Sequence, residues 1–137
     1  MCLSLPFHHI GIACRNIEES SRFYIQNGYS LSPVTYDPVQ NVNIAFLSKM
    51  GNPLIELISP YDETSPVNKN LQKNGVSPYH ICYEAEDLEA AIAELKKQKF
   101  LVVSRPAPAA AMENRRVCFL FSKDAGLIEL VETGERK

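Results

Sequence analysis

The sequence predicts an α+β fold, made of two tandem βαβββ modules that form a curved mixed sheet around one metal site. Three observations carry that reading. A segment led by His9 and running to Asn16 is matched by one led by His80 and running to Asp87, at an offset of 71 residues (80 − 9 = 71). The tetrapeptide Leu54-Ile55-Glu56-Leu57 recurs unchanged as Leu127-Ile128-Glu129-Leu130, at an offset of 73 (129 − 56 = 73). Between these landmarks the two halves show the same succession of periodicities, which is the signature of an internal repeat. The 137 residues are read as a single domain, 1–137, with module one at about 5–60, a linker helix at about 61–76 and module two at about 77–133.

Module one opens with an Ile-rich apolar run, Phe7 to Ala13, that suits a strand. Asn16 precedes Ile17 and is followed three residues on by Glu19, a capping-box-like helix start, and Gly28 is a natural stop. Strands are expected near Tyr29–Tyr36, Val42–Leu47 and Leu54–Ser59, with breaks at Asp37-Pro38 and Gly51-Asn52-Pro53. The linker carries a short helix from Pro66, a good first helical residue, to Gly75 at its end. Module two repeats the plan: a strand at His80–Glu84, then a helix capped by Asp87 with Leu88, Ala91, Ile92 and Leu95 on one face. Strands follow near Phe100–Ser104, Arg116–Phe121 and Leu127–Val131. The stretch Arg105 to Asn114 is long for a hairpin connection and reads as a lid or a mobile loop.

Composition narrows the function classes. Hydrophobic residues make up 45% and charged residues 22%, with a formal net charge of −2, as in ordinary globular chains. No basic stripe appears, which argues against nucleic acid and anionic membrane surfaces as partners. No apolar run approaches a membrane span, and the first residues lack the basic and apolar regions of a secretory signal. Cys2, Cys14, Cys82 and Cys118 show no paired spacing, and three of them have apolar neighbours. They are read as small buried hydrophobes in the cytoplasm rather than as a disulfide or zinc framework.

Strand alternation puts His9 on one face and Ile10 and Ile12 on the other; Glu56 likewise opposes Ile55 and Leu57. His80 and Glu129 repeat the arrangement. A carboxylate in the middle of Leu-Ile-Glu-Leu is costly to bury without a partner. One His or one Glu alone is explained as well by a local hydrogen bond on a half-exposed sheet. Four positions related by a repeat favour a shared divalent cation held by His9, Glu56, His80 and Glu129. Two imidazoles and two carboxylates with room for water suit a six-coordinate ion, with Ni, Co, Mn, Fe, Zn and Mg as candidates. His8 points away from His9, and module two has Tyr79 in its place. Arg115, Arg116 and Lys123 are positioned to meet an anionic substrate group, though exposed strand-end charge explains them equally well.

At these residues the sequence resembles the vicinal-oxygen-chelate superfamily (glyoxalase, bleomycin resistance, dioxygenase). The segments Phe7 to Ala13, Tyr79 to Glu84 and Gly126 to Glu132 are similar to its signature strands. The stretch Glu63 to Gly75, together with Asp87 to Lys97 and Phe121 to Gly126, resembles the methylmalonyl-CoA epimerases more narrowly. The resemblance implies a divalent-metal-dependent isomerase or lyase with ligands at His9, Glu56, His80 and Glu129. It also implies Glu129, and secondarily Glu56, as proton carriers, a small carbonyl or acyl-thioester substrate, and a homodimer. Arg116 and Lys123 are the expected substrate contacts. One departure stands out. The epimerases carry a further glutamate just before the third strand, where this chain reads Tyr36-Asp37-Pro38-Val39-Gln40-Asn41. Asp37 is the nearest carboxylate there. A glyoxalase I-like lyase on a thiol hemithioacetal is the alternative within the enzyme class. Extradiol dioxygenase chemistry needs only two His and one carboxylate, so Glu56 argues against it. A metal-free small-molecule-binding protein is the alternative from another class.

Overall fold

The computed structural model describes residues 3–134. Among them are nine strands, three α-helices and one short 3-10 turn, in a mixed α+β arrangement. The chain divides into two compact units, one of residues 9–79 and one of the residues up to His8 together with those from His80 onward.

The first unit takes in most of β1 (Phe7–Ala13), then α1 (Ile17–Gln26), β2 (Ser30–Leu31), β3 (Thr35–Asp37), β4 (Val42–Ser48), β5 (Ile55–Pro60) and α2 (Val67–Asn74). β1 pairs in parallel with β5, and β5 pairs antiparallel with β4. β2 and β3 both pair with β4. Asn16 caps α1 as expected, its side chain accepting from the Glu19 amide. The core under α1 is Cys14, Ile17, Ala45, Leu47 and Leu57, with Ile12 and Ile55 against it. These are the strand positions that alternate with His9 and Glu56. The expected long strand over Tyr29–Tyr36 is instead two short ones separated by Ser32-Pro33-Val34. A proline has no amide to donate and breaks the ladder there.

The second unit contains β6 (Ser77–Ala85) from His80 on, α3 (Leu88–Lys97), β7 (Leu101–Pro108), β8 (Arg116–Ser122) and β9 (Gly126–Glu132). Its register mirrors the first: β6 runs parallel to β9, and β9 antiparallel to β8, which pairs with β7. Asp87 caps α3 through the Ala90 amide. Leu88, Ala91 and Leu95 bury against Cys118, Leu120 and Leu130. The N-terminal segment belongs to this unit. Leu3 and Leu5 pack on its core, the Pro6 carbonyl accepts from the Glu84 amide at 2.8 Å, and Phe7 meets Tyr83 edge-on.

The stretch read as a lid is anchored. β7 extends to Pro108, so the connection is shorter than the sequence suggests. Ala109 and Met112 are buried, and Ala109 exchanges backbone hydrogen bonds with Asn114 and Arg115. Glu113 and Asn114 adopt positive φ to close this turn, which costs non-glycine residues some strain.

Candidate functional site

In the first unit, Glu56 lies near the start of β5, in register with Gly11 on β1 and Phe46 on β4. His9 is two residues before Gly11, so both side chains emerge on the face opposite α1. His9 Nε2 lies 3.4 Å from Glu56 Oε1, with the two side chains 0% and 2% exposed. Phe46 meets the His9 ring edge-on, centroids 5.5 Å apart.

The second unit builds the same constellation. Glu129 on β9 is in register with Cys82 on β6 and Phe119 on β8. His80 is two residues before Cys82. Its Nε2 lies 3.0 Å from Glu129 Oε1, and both groups are buried. Phe119 meets the His80 ring edge-on at 5.2 Å. The sequence signal for this phenylalanine wall is the pair Phe46-Leu47 and Phe119-Leu120, which repeat at the offset of the glutamates (119 − 46 = 73).

The donor chemistry of each pair fits a divalent cation. A carboxylate removed from water needs positive charge or several donors to offset its lost hydration. Imidazole nitrogen and carboxylate oxygen together suit the borderline and harder divalent metals. The edge-on rings fix the plane of each imidazole, and hence the direction of its lone pair.

The other sequence candidates fall elsewhere. Arg116 stands on β8 with Cys118 and Leu120, on the α3 side of the sheet, opposite Glu129. Its guanidinium is held by Glu89 at 2.8 Å and Glu132 at 3.1 Å, and these hydrogen bonds raise its pKa further. Arg116, read from the sequence as a candidate substrate contact, here clamps α3 to the sheet. Lys123 lies exposed in the turn between β8 and β9. Arg115 does not join Arg116. It reaches Glu84 and the His8 ring at 3.4 and 3.3 Å and the Met112 carbonyl at 3.3 Å, fastening the 109–115 turn.

Asp37 is fully buried, and its carboxylate accepts from the Val39 and Gln40 amides and from the Gln40 side chain. It pairs with Val42, which is opposite Pro60. That places it four residues and two strands from Glu56, about 16 Å between Cα atoms by standard strand spacings. Asp37 ties the turn before β4 and is too distant to share chemistry with Glu56.

Paired βαβββ units, each with a buried His–Glu pair backed by phenylalanine, define the class. The model of the Glyoxalase/Bleomycin resistance protein/Dioxygenase superfamily matches residues 8–119, and the chain belongs to that superfamily. Within it, the chain is 35% identical over 127 residues to the mitochondrial methylmalonyl-CoA epimerase of Mus musculus, spanning 90% of this chain and 70% of that protein. It is 32% identical to the ethylmalonyl-CoA/methylmalonyl-CoA epimerase of Cereibacter sphaeroides, with 90% and 94% covered. The solved structure of methylmalonyl-CoA epimerase from Mycobacterium tuberculosis superposes with a TM-score of 0.84 at 30% identity, over 98% of this chain and 93% of that one. No helix among the described residues is long and apolar enough to cross a membrane.

Proposed function

We propose that this chain is a divalent-metal-dependent isomerase of the epimerase type, acting on the α-carbon of an acyl-CoA, with His9, Glu56, His80 and Glu129 sharing one cation. The observation that carries the proposal is the duplicated, buried His–Glu pair. The likeness to methylmalonyl-CoA epimerases over about nine-tenths of this chain supports the substrate class. A bound cation would act as a Lewis acid on the thioester carbonyl and stabilise enolate charge. Glu129 takes the α-proton: the C–H bond breaks, and its electron pair delocalises into the carbonyl. His80, beside Glu129, keeps that carboxylate oriented. A proton returned by Glu129 gives exchange at the same face; inversion would need Glu56 to enter the step protonated, give its proton to the opposite face and end as carboxylate, while Glu129 keeps the proton it took. With Asp37 fastened in its turn, Glu56 is the carboxylate assigned to that second task. The reading includes a homodimer and the cytoplasm. Buried Cys14, Cys82 and Cys118 suit a reducing compartment.

Deuterium wash-in at the α-carbon tests the reading. Protein with stoichiometric metal should exchange methylmalonyl-CoA in heavy water and lose exchange after chelation. Exchange that survives complete metal removal would sink the mechanism. Turnover of a methylglyoxal–thiol hemithioacetal, with no exchange on any acyl-CoA, would replace it with the lyase alternative.

A further inference from the structure

We infer that Leu101, Phe121 and Leu127 form an apolar ledge for the alkyl part of an acyl-thioester substrate longer than methylmalonyl; this rests on the proposed acyl-CoA reaction. Leu127 is two residues from Glu129 on β9 and projects on the same face. It is in register with Phe121, and Phe121 with Leu101 on β7. The row therefore begins one strand pleat from the catalytic carboxylate and runs outward across three strands. Leu101 is 70% exposed and Phe121 43%. Large apolar side chains left open beside a buried polar pair mark a binding surface rather than a core.

The repeat supplies a control. In the first unit the corresponding row is Leu54, Ser48 and Ser30: Ser30 pairs with Ser48, and Ser48 lies two residues past Phe46. There the row borders a cavity of about 380 Å³ lined also by Lys49 and Asn52. Both halves keep the His, Glu and Phe, yet one flank is hydroxylic and the other apolar. Three side chains fall far short of the ~800 Å² per partner of a stable protein interface, but their size matches a short alkyl chain.

The experiment is titration calorimetry of the full chain with propionyl-, butyryl- and valeryl-CoA. Wild type is compared with Phe121→Ser and Leu101→Ser, which copy the residues of the first unit. Both positions are exposed enough that folding, checked by circular dichroism, should persist. Wild-type affinity should rise about fourfold per added methylene, and each serine variant should flatten that gradient to less than twofold. A wild type with no gradient, or with no binding at all, overturns the ledge, as does a gradient that both variants keep. A variant that changes oligomeric mass also overturns it, by making the row a subunit contact. Wild type that exchanges deuterium without a gradient refutes the ledge alone; wild type with a gradient and no exchange refutes the reaction alone.

Discussion

Replacing Glu129 by Gln keeps the shape of the side chain on β9 and removes one buried negative charge 3.0 Å from His80. In metal-free protein the change should leave the thermal midpoint level or raise it, since the neutral amide does away with a negative charge that costs free energy to hold away from water. With metal the two proteins should part. A cation that binds only the folded state at 100 times its dissociation constant stabilises by about 2.7 kcal/mol. A chain of 137 residues unfolds with an entropy of about 0.29 kcal/mol/K at roughly 2.1 cal/mol/K per residue, so wild type should gain about 9 °C. Losing an outer-sphere partner already weakens metal binding 10–100-fold, and losing a direct anionic ligand should weaken it by at least about 100-fold. At the same metal concentration the variant then keeps about 0.4 kcal/mol, a gain of between 1 and 2 °C on about the same entropy. Differential scanning calorimetry after chelator treatment, with Mn, Co, Ni, Zn and Mg added singly, reads both numbers. Equal gains in wild type and variant, or no gain in wild type with any of these ions, would refute the assignment of Glu129 as a ligand.

Three further outcomes follow from the buried polar groups. Burial, reinforced by the charge of Glu129, pushes the Cys118 thiol up to about 12, and burial also raises Cys14. Iodoacetamide at pH 8 should therefore leave Cys14 and Cys118 unlabelled by peptide mapping until denaturant is added, and Cys82 is shielded by burial alone. Because the folded Cys118 resists ionisation, stability should fall as pH rises from near 9.0 towards about 12; labelling of Cys118 in native protein at pH 8 contradicts this. Asp37→Ala leaves the Val39 and Gln40 amides without their acceptor and should cost about 1–3 kcal/mol in urea denaturation. It should shift the midpoint without changing which face of the α-carbon exchanges. A variant of normal stability with altered stereochemistry would make Asp37 an acid/base after all.

Most of the architecture could be read from local chemistry. Asn16 with Glu19, Asp87, Pro66 and Gly75 mark the helix ends, because capping depends on a few adjacent residues. The duplicated Leu-Ile-Glu-Leu and the two histidines located both pairs, since strand alternation and the repeat together assign their faces. The failures share a cause: they depend on register across strands. Arg116 is sequence neighbour to Arg115, yet the pairing of Phe119 with Glu129 turns Arg116 to the far face. The tie from Asp37 to the Val39 and Gln40 amides exists only once the turn before β4 has folded. The long Arg105–Asn114 stretch read as loose because Ala109 and Met112 carry no motif that announces their burial.

The strap of Leu3, Leu5 and Pro6 on the second unit has a consequence for biosynthesis. The Glu84 amide that meets the Pro6 carbonyl is made 78 residues later (84 − 6 = 78). At roughly 5–20 residues per second, the strap waits about 4–16 s at the ribosome before its partner exists. Leu3 and Leu5 lack their packing surface for that interval, which gives a nascent-chain chaperone time to hold the strap.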